Sequence, residues 1–170
     1  MDFNQYTNKA REALLRAQTN ANDLGHSSVE PIHMLGALVG QKDGVVPQVI
    51  AKIGARPAAL LTEIEDQITN RPRAYGSNVK ATLNRAALDV LTQAEREAEK
   101  MKDEYVSTEH LLIALADDKS VNALLQRAGV TREAIFDALA SIRGGQRITS
   151  QDPESTFQSL EKYGRDLTAL

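Results

Sequence analysis

Cysteine and tryptophan are absent from this chain of 170 residues, and aromatic residues of any kind make up only 4% of it. Without thiols there is no disulfide, no thiolate nucleophile and no cysteine-held metal, a composition that fits a reducing compartment, and the cytoplasm is the expected location. The shortage of aromatics, beside a hydrophobic content of 42% rich in alanine and leucine, argues against a sheet core and for close-packed helices. Charge of one sign is also missing. Twenty basic residues are interleaved with 23 acidic ones for a net charge of -3, so no face is built to track phosphates and nucleic acid is not an expected partner. No 18 apolar residues occur in succession, and residues 1–7 are polar with no basic stretch leading into an apolar run. No membrane partner is expected.

Several chemical signatures are lacking as well. There is no Walker-type glycine loop ending in Lys and Ser or Thr, no dinucleotide-binding glycine fingerprint and no HExxH element. The only histidines are His26, His33 and His110. No catalytic, cofactor-binding or metal-binding residue is expected in this segment.

What the chain does contain is a duplication. Laying residue 10 on residue 87 and continuing without gaps to 38 on 115 gives Ala10/Ala87, Leu14/Leu91, Ala17/Ala94, Ala21/Ala98, Val29/Val106, His33/His110, Leu35/Leu112, Ala37/Ala114 and Leu38/Leu115. Shared alanine and leucine content alone would not align a histidine and keep helical spacing. In each copy the matched apolar positions 10, 14, 17, 21, 24 and 87, 91, 94, 98, 101 form one stripe of an amphipathic helix, expected to face the core. Thr7 and Asn84, aligned with each other, are suited to cap these helices. Gly25 should end the first in a left-handed turn, whereas Lys102 in the second copy predicts a different ending.

A shorter helix follows in each copy, opened by Pro31 in the first and by Ser107 or Thr108 in the second. Two more are predicted in each: residues 47–53 and 57–70, then 120–128 and 131–143, with Gly54 matching Gly129. Loops are expected at 41–44 and 70–78, the latter joining the copies. His33 and His110, near matching helix starts, predict a shared hydrogen bond across that start. Glu95, Glu97, Glu99, Asp103 and Glu104 alternate with Arg96, Lys100 and Lys102, the pattern of a solvated face with i,i+4 pairs. Asp103 and Glu109 flank the start of the second copy's short helix, where its dipole favours negative charge. Beyond Arg143, residues 144–154 hold two glycines, a proline and almost no apolar surface, which predicts a linker and a body ending near Arg143. A capping box at Ser155-Thr156-Phe157-Gln158, with Phe157, Leu160 and Leu167 on one loose face, predicts a short final helix.

The elements Val29-Glu30-Pro31-Ile32-His33-Met34-Leu35 and Tyr105-Val106-Ser107-Thr108-Glu109-His110-Leu111-Leu112 resemble the paired signature segments of the Clp repeat domain, found at the amino end of Clp-family AAA+ unfoldases. The tail, with Arg143-Gly144-Gly145-Gln146-Arg147 and Leu160-Glu161-Lys162-Tyr163-Gly164-Arg165-Asp166-Leu167-Thr168, resembles the join to the first ATPase module in the ClpB branch. The resemblance implies an all-α fold of two tandem pseudo-symmetric four-helix repeats over residues 1–143 (about 1–72 and about 79–143), a linker at 144–154, and the start of an ATPase module at 155–170. It also implies a parent that is a homo-hexameric ring driven by ATP and Mg, both held outside this segment, which threads proteins out of aggregates with the DnaK chaperone system. This domain would engage exposed hydrophobic segments of unfolded or aggregated clients. Positions matching Thr7, Asp103 and Glu109 are tied to client handling in ClpB relatives, and those three are the expected substrate-binding residues. Protease-feeding relatives often carry Thr-Glu-His in both repeats. Here only Thr108-Glu109-His110 has it, and Pro31-Ile32-His33 lacks the acid. The alternatives left open are an adaptor-docking or degron-recognition domain of a protease-linked unfoldase, and a free-standing Clp repeat protein.

Overall fold

The computed structural model describes residues 3–73, 80–145 and 147–153. After a 3-10 turn at Phe3–Gln5 come α1 (Asn8–Asp23), β1 (Ser28–Val29), α2 (Pro31–Val39), α3 (Val45–Ile53) and α4 (Pro57–Thr69). The second copy repeats the order with β2 (Thr82–Leu83), α5 (Arg85–Lys100), α6 (Thr108–Ala116), α7 (Asn122–Arg127) and α8 (Arg132–Arg143). α3 starts two residues before the expected Pro47, with Gly44 as its N-cap, and α7 is shorter than expected at both ends. The helix expected from Ser155 lies outside the described residues. None of the described helices is long and apolar enough to cross a membrane.

The centre belongs to the two short helices. Every residue of α6 is buried, and in α2 only Gly36 escapes that class. A helix apolar on all sides must be enclosed, and these two touch each other while α1 and α4 pack on α2, α5 packs on α6, and α3 bridges to α8. The longer helices then need only one buried stripe. In α1 it is Ala10, Ala13, Ala17 and Ala21, while Leu14 and Leu24, expected in that stripe, are only partly buried. α5 buries the matching Ala87, Val90, Leu91, Ala94 and Ala98.

The fold is not purely helical, because the enclosed loops need partners for their backbone groups. β1 and β2 pair in parallel, Ser28 beside Thr82 and Val29 beside Leu83, and Tyr6 bridges Val106 in the same sense. These are the same pairing seen from the two copies: the segment entering each long helix lies along the loop before the other copy's short helix. The Thr7 N–H donates to the Val106 carbonyl at 2.9 Å and the Asn84 N–H to the Val29 carbonyl at 3.1 Å. The copies are thus interlocked at their helix entries. Both expected caps form, with Thr7 Oγ1 accepting from the Ala10 N–H at 3.2 Å and Asn84 Oδ1 from the Ala87 N–H at 2.8 Å.

The two long helices also end alike, contrary to expectation. Gly25 has φ 72° and Lys102 φ 59°, and in both copies the next residue donates back into the helix, His26 to Ala21 and Asp103 to Ala98, each at 2.9 Å. Asp103 must turn inward at this point, so the backbone turn is imposed on a residue with a Cβ. Relieving it should help. Lys102→Gly is expected to raise stability by about 0.5–1 kcal/mol, the ordinary cost of a left-handed non-glycine residue less the extra freedom of an unfolded glycine. A urea midpoint that falls on this substitution would contradict that account.

The packed body does not end at Arg143. Gly144 and Gly145, with φ 58° and 88°, turn the chain back, and Ile148 is fully buried against the core. The segment expected to be a featureless linker contains one aliphatic residue, and that residue has a place to go.

Candidate functional site

Each of the two aligned histidines sits at the third position of its short helix and faces back to the helix start, as expected. His33 Nδ1 accepts from the Glu30 N–H at 2.9 Å and His110 Nδ1 from the Ser107 N–H at 2.8 Å. An accepting Nδ1 puts the proton on Nε2. From there His33 reaches His26 Nδ1 at 2.9 Å, and His110 reaches Asp103 Oδ2 at 2.7 Å. His26 and Asp103 are matching positions, so one scaffold holds a neutral histidine pair in copy one and a histidine–carboxylate pair in copy two.

Around Asp103 the second copy builds a charged cluster with no exposed member. Arg143 Nη1 donates to Asp103 Oδ2 at 2.9 Å, its Nη2 to Glu109 Oε2 at 3.0 Å and its Nε to the same oxygen at 3.2 Å. Glu109 Oε1 takes the Ser107 hydroxyl, and Asp103 Oδ1 accepts from the Ile148 N–H at 2.8 Å. Burial alone would raise both carboxyls. At Asp103 the hydrogen bonds from His110 and Ile148 and the Arg143 charge outweigh it, and at Glu109 the Arg143 charge does so, leaving both below the usual carboxylate range. Burial works against the Arg143 charge too, but the two carboxylates push its pKa up instead.

The structure therefore gathers Asp103 and Glu109 on one guanidinium. Thr7 lies on the neighbouring segment, held to Val106 beside Ser107. None of the three presents its functional group to solvent: Thr7 and Glu109 are fully buried, and the Asp103 side chain is too. Glu97, expected on a solvated face, is likewise inside. Both its oxygens are taken by Arg132, the first residue of α8, at 2.7 and 2.9 Å. Burial would raise its pKa, but the hydrogen bonds from Arg132 and Gln93 hold it down.

The histidine pair has a titration consequence. Burial lowers the pKa of His26, and burial together with His26 lowers that of His33. A depressed folded-state pKa means that, as pH falls below the unfolded value near 6.5, the unfolded chain binds protons the folded one resists, so stability falls. The depressed carboxylates add a second loss below about pH 4. The urea midpoint should therefore decline between pH 7.5 and 5.5, and His26→Gln should flatten that decline. A midpoint independent of pH across this window would refute the assignment.

The other candidate is apolar and open. A groove of about 330 Å³ is lined by Phe3, Arg11, Leu14, Leu15, Gln18, Val29 and Leu83. Its wall is the outer stripe of α1 and its floor is the β1–β2 pair. Leu15 is 65% exposed and Phe3 38%. At the matching place in copy two Tyr6 stands where Leu83 stands in copy one, fully buried, with its hydroxyl donating to Glu95 Oε1 at 3.1 Å. Burial, then Glu95, raises the phenol's pKa beyond its usual value. Leu15 was legible in the sequence only as a leucine beside the core stripe. That the groove is open depends on which residue of the other copy covers it.

Compared with known proteins, the chain matches the family described as the Clp repeat (R) N-terminal domain over residues 5–128. It is 39% identical to the chaperone protein ClpB of Bacillus cereus over 99% of this chain and 20% of that protein. It is 43% identical to the ClpB of Corynebacterium glutamicum over 96% of this chain and again 20% of that one. The fold is that of the Hsp104 N-terminal domain from Candida albicans, with TM-score 0.80 at 23% identity, covering 89% of this chain and 99% of that one. The chain thus spans about a fifth of the length of the curated relatives it matches. With two interlocked helical copies, paired histidine elements and these relatives, this chain belongs to the Clp repeat N-terminal domain family.

Proposed function

We propose that this domain receives exposed hydrophobic segments of unfolded or aggregated proteins in the groove between α1 and the β1–β2 pair, on behalf of a ClpB-type disaggregase. The observation that carries this is the groove itself, an apolar surface that the fold leaves uncovered in copy one and fills with Tyr6 in copy two. One shallow apolar site of this kind gives a net binding free energy of about -4 to -8 kcal/mol, which is an affinity in the micromolar to millimolar range. Weak capture suits a domain that hands its client on. The parent would be a homo-hexameric, ATP- and Mg-dependent ring in the cytoplasm, working with the DnaK system. Thr7, Asp103 and Glu109 would serve client handling by position: Thr7 caps α1, the helix that forms the groove wall.

The alternative of reading a charged degron finds little support in the geometry. Glu109 is buried and paired with Arg143, and its counterpart in copy one is Ile32. Titrating the domain with a chemically unfolded protein and with the same protein in its native state tests the proposal. Binding of the unfolded form alone is expected, and a preference for the native form would favour adaptor docking instead.

A further inference from the structure

We infer that residues 147–151 are a releasable strap, and that Asp103, Glu104 and Asn8 form its seat, so that this body carries a tether of two lengths. The observation is the docking of a segment outside the helical repeats. The Ile148 side chain is fully buried. Its N–H donates to Asp103 Oδ1 at 2.8 Å, and its carbonyl accepts from the Glu104 N–H at 2.8 Å. Three residues on, the Gln151 carbonyl accepts from the Asn8 N–H at 2.7 Å and its side-chain amide donates to the Asn4 carbonyl at 3.1 Å. Arg147, Thr149 and Ser150 between and beside these points are exposed.

The attachment is made at separate points, with Ile148 and Pro153 buried, Gln151 hydrogen-bonded, and exposed residues between them. Behind it lies a ready pivot. Gly144 and Gly145 both have positive φ, and among the described residues neither has a neighbour within reach of an added Cβ. Local opening of such a unit needs no helix to unfold.

Docking also changes where the chain leaves the body. With the strap seated, Gln151 is held at the start of α1, on Asn4 and Asn8, close in sequence to the groove residues Phe3 and Arg11. With the strap released, the exit is at Arg143, and residues 144–152 become a free tether reaching roughly 30 Å. The Asp103–Arg143–Glu109 cluster is then a positioning device. It holds Asp103 so that one oxygen serves Arg143 and His110 while the other stays aimed at the strap. The inference stands apart from the groove proposal, since docking is measured without any client.

Amide hydrogen exchange on residues 1–170 tests it. The amides of Ile148, Glu104 and Asn8, which close the seat, should share one opening rate, faster on the order of tenfold or more than that of the core amides of Ala17 and Ala94. Trypsin should cut slowly after Arg147 in the unaltered chain and in Ile148→Val. It should cut on the order of tenfold faster in Ile148→Asp, with the helical circular dichroism unchanged. Because Ile148→Asp leaves the charged cluster intact, it separates strap release from any folding defect that Asp103→Ala brings. If the three amides exchange only with the core, the segment is not releasable. If the unaltered chain is cut after Arg147 as fast as Ile148→Asp, it is not docked. Either result overturns the inference.

Discussion

Arg143→Met should leave the domain about 3–5 kcal/mol less stable at neutral pH, a large part of the 5–15 expected for a domain of this size. Methionine keeps most of the length of the side chain and its contacts with the core, so the loss reports the charge. Asp103 would retain His110 and the Ile148 amide, and Glu109 the Ser107 hydroxyl and its own backbone N–H, with no full positive charge bonded to it. Without Arg143, burial dominates at Glu109 and its folded pKa rises above the unfolded value. The folded state then binds the extra proton, and the deficit shrinks as pH falls towards 4, opposite to the behaviour of the unaltered domain. Adding Glu109→Gln to Arg143→Met should recover part of the loss, because the stranded charge is removed. Urea denaturation of the unaltered domain, Arg143→Met, Glu109→Gln and the double variant at pH 7.5 and 5 supplies the test. A loss below about 1 kcal/mol for Arg143→Met would mean that water reaches the cluster.

That cluster shows where local sequence information stops. The hydrogen bond from each histidine to its own helix start was legible because both partners lie within three residues, as were the Thr7 and Asn84 caps and the paired helix starts. Glu109 read as a helix-dipole residue worth about 0.3–1 kcal/mol. Its actual partner, Arg143, comes from a helix 34 positions further on, and no spacing rule links them. Glu97 failed in the same way: Arg132, which pairs it, lies on α8. Lys102 misled in another manner, since residue type predicts a left-handed turn only where glycine stands. There the tertiary requirement that Asp103 point inward prevailed. Ile148 was a single aliphatic residue in a polar stretch, too little for a periodicity argument and enough for one docking point. The groove depends on the swap of helix entries, which puts Leu83 against Val29 in one copy and Tyr6 against Val106 in the other. The duplication was visible, but the crossing was not.

Leu15→Glu should abolish most client binding while leaving the fold untouched. Leu15 projects from the outer stripe of α1 and is the most exposed of the groove residues, at 65%. Glutamate is nearly as good a helix former as leucine, so the stability change should stay within about 0.5 kcal/mol, as for surface positions generally. In the complex, however, the carboxylate would sit beside Phe3, Leu14 and Val29 against an apolar client segment. Either it is desolvated without a partner or the segment stays out. Losing one leucine contact of about 1.5–3 kcal/mol already weakens binding by roughly tenfold or more. Thr92→Glu is the matched control, because Thr92 is the exposed counterpart of Leu15 on α5, where Tyr6 closes the floor. It should leave affinity unchanged. Fluorescence anisotropy with a labelled, permanently unfolded protein would read all three chains under identical conditions. Equal affinity for Leu15→Glu and the unaltered domain would remove the groove from consideration, and a loss shared by Thr92→Glu would point to net charge as the determinant in place of this surface.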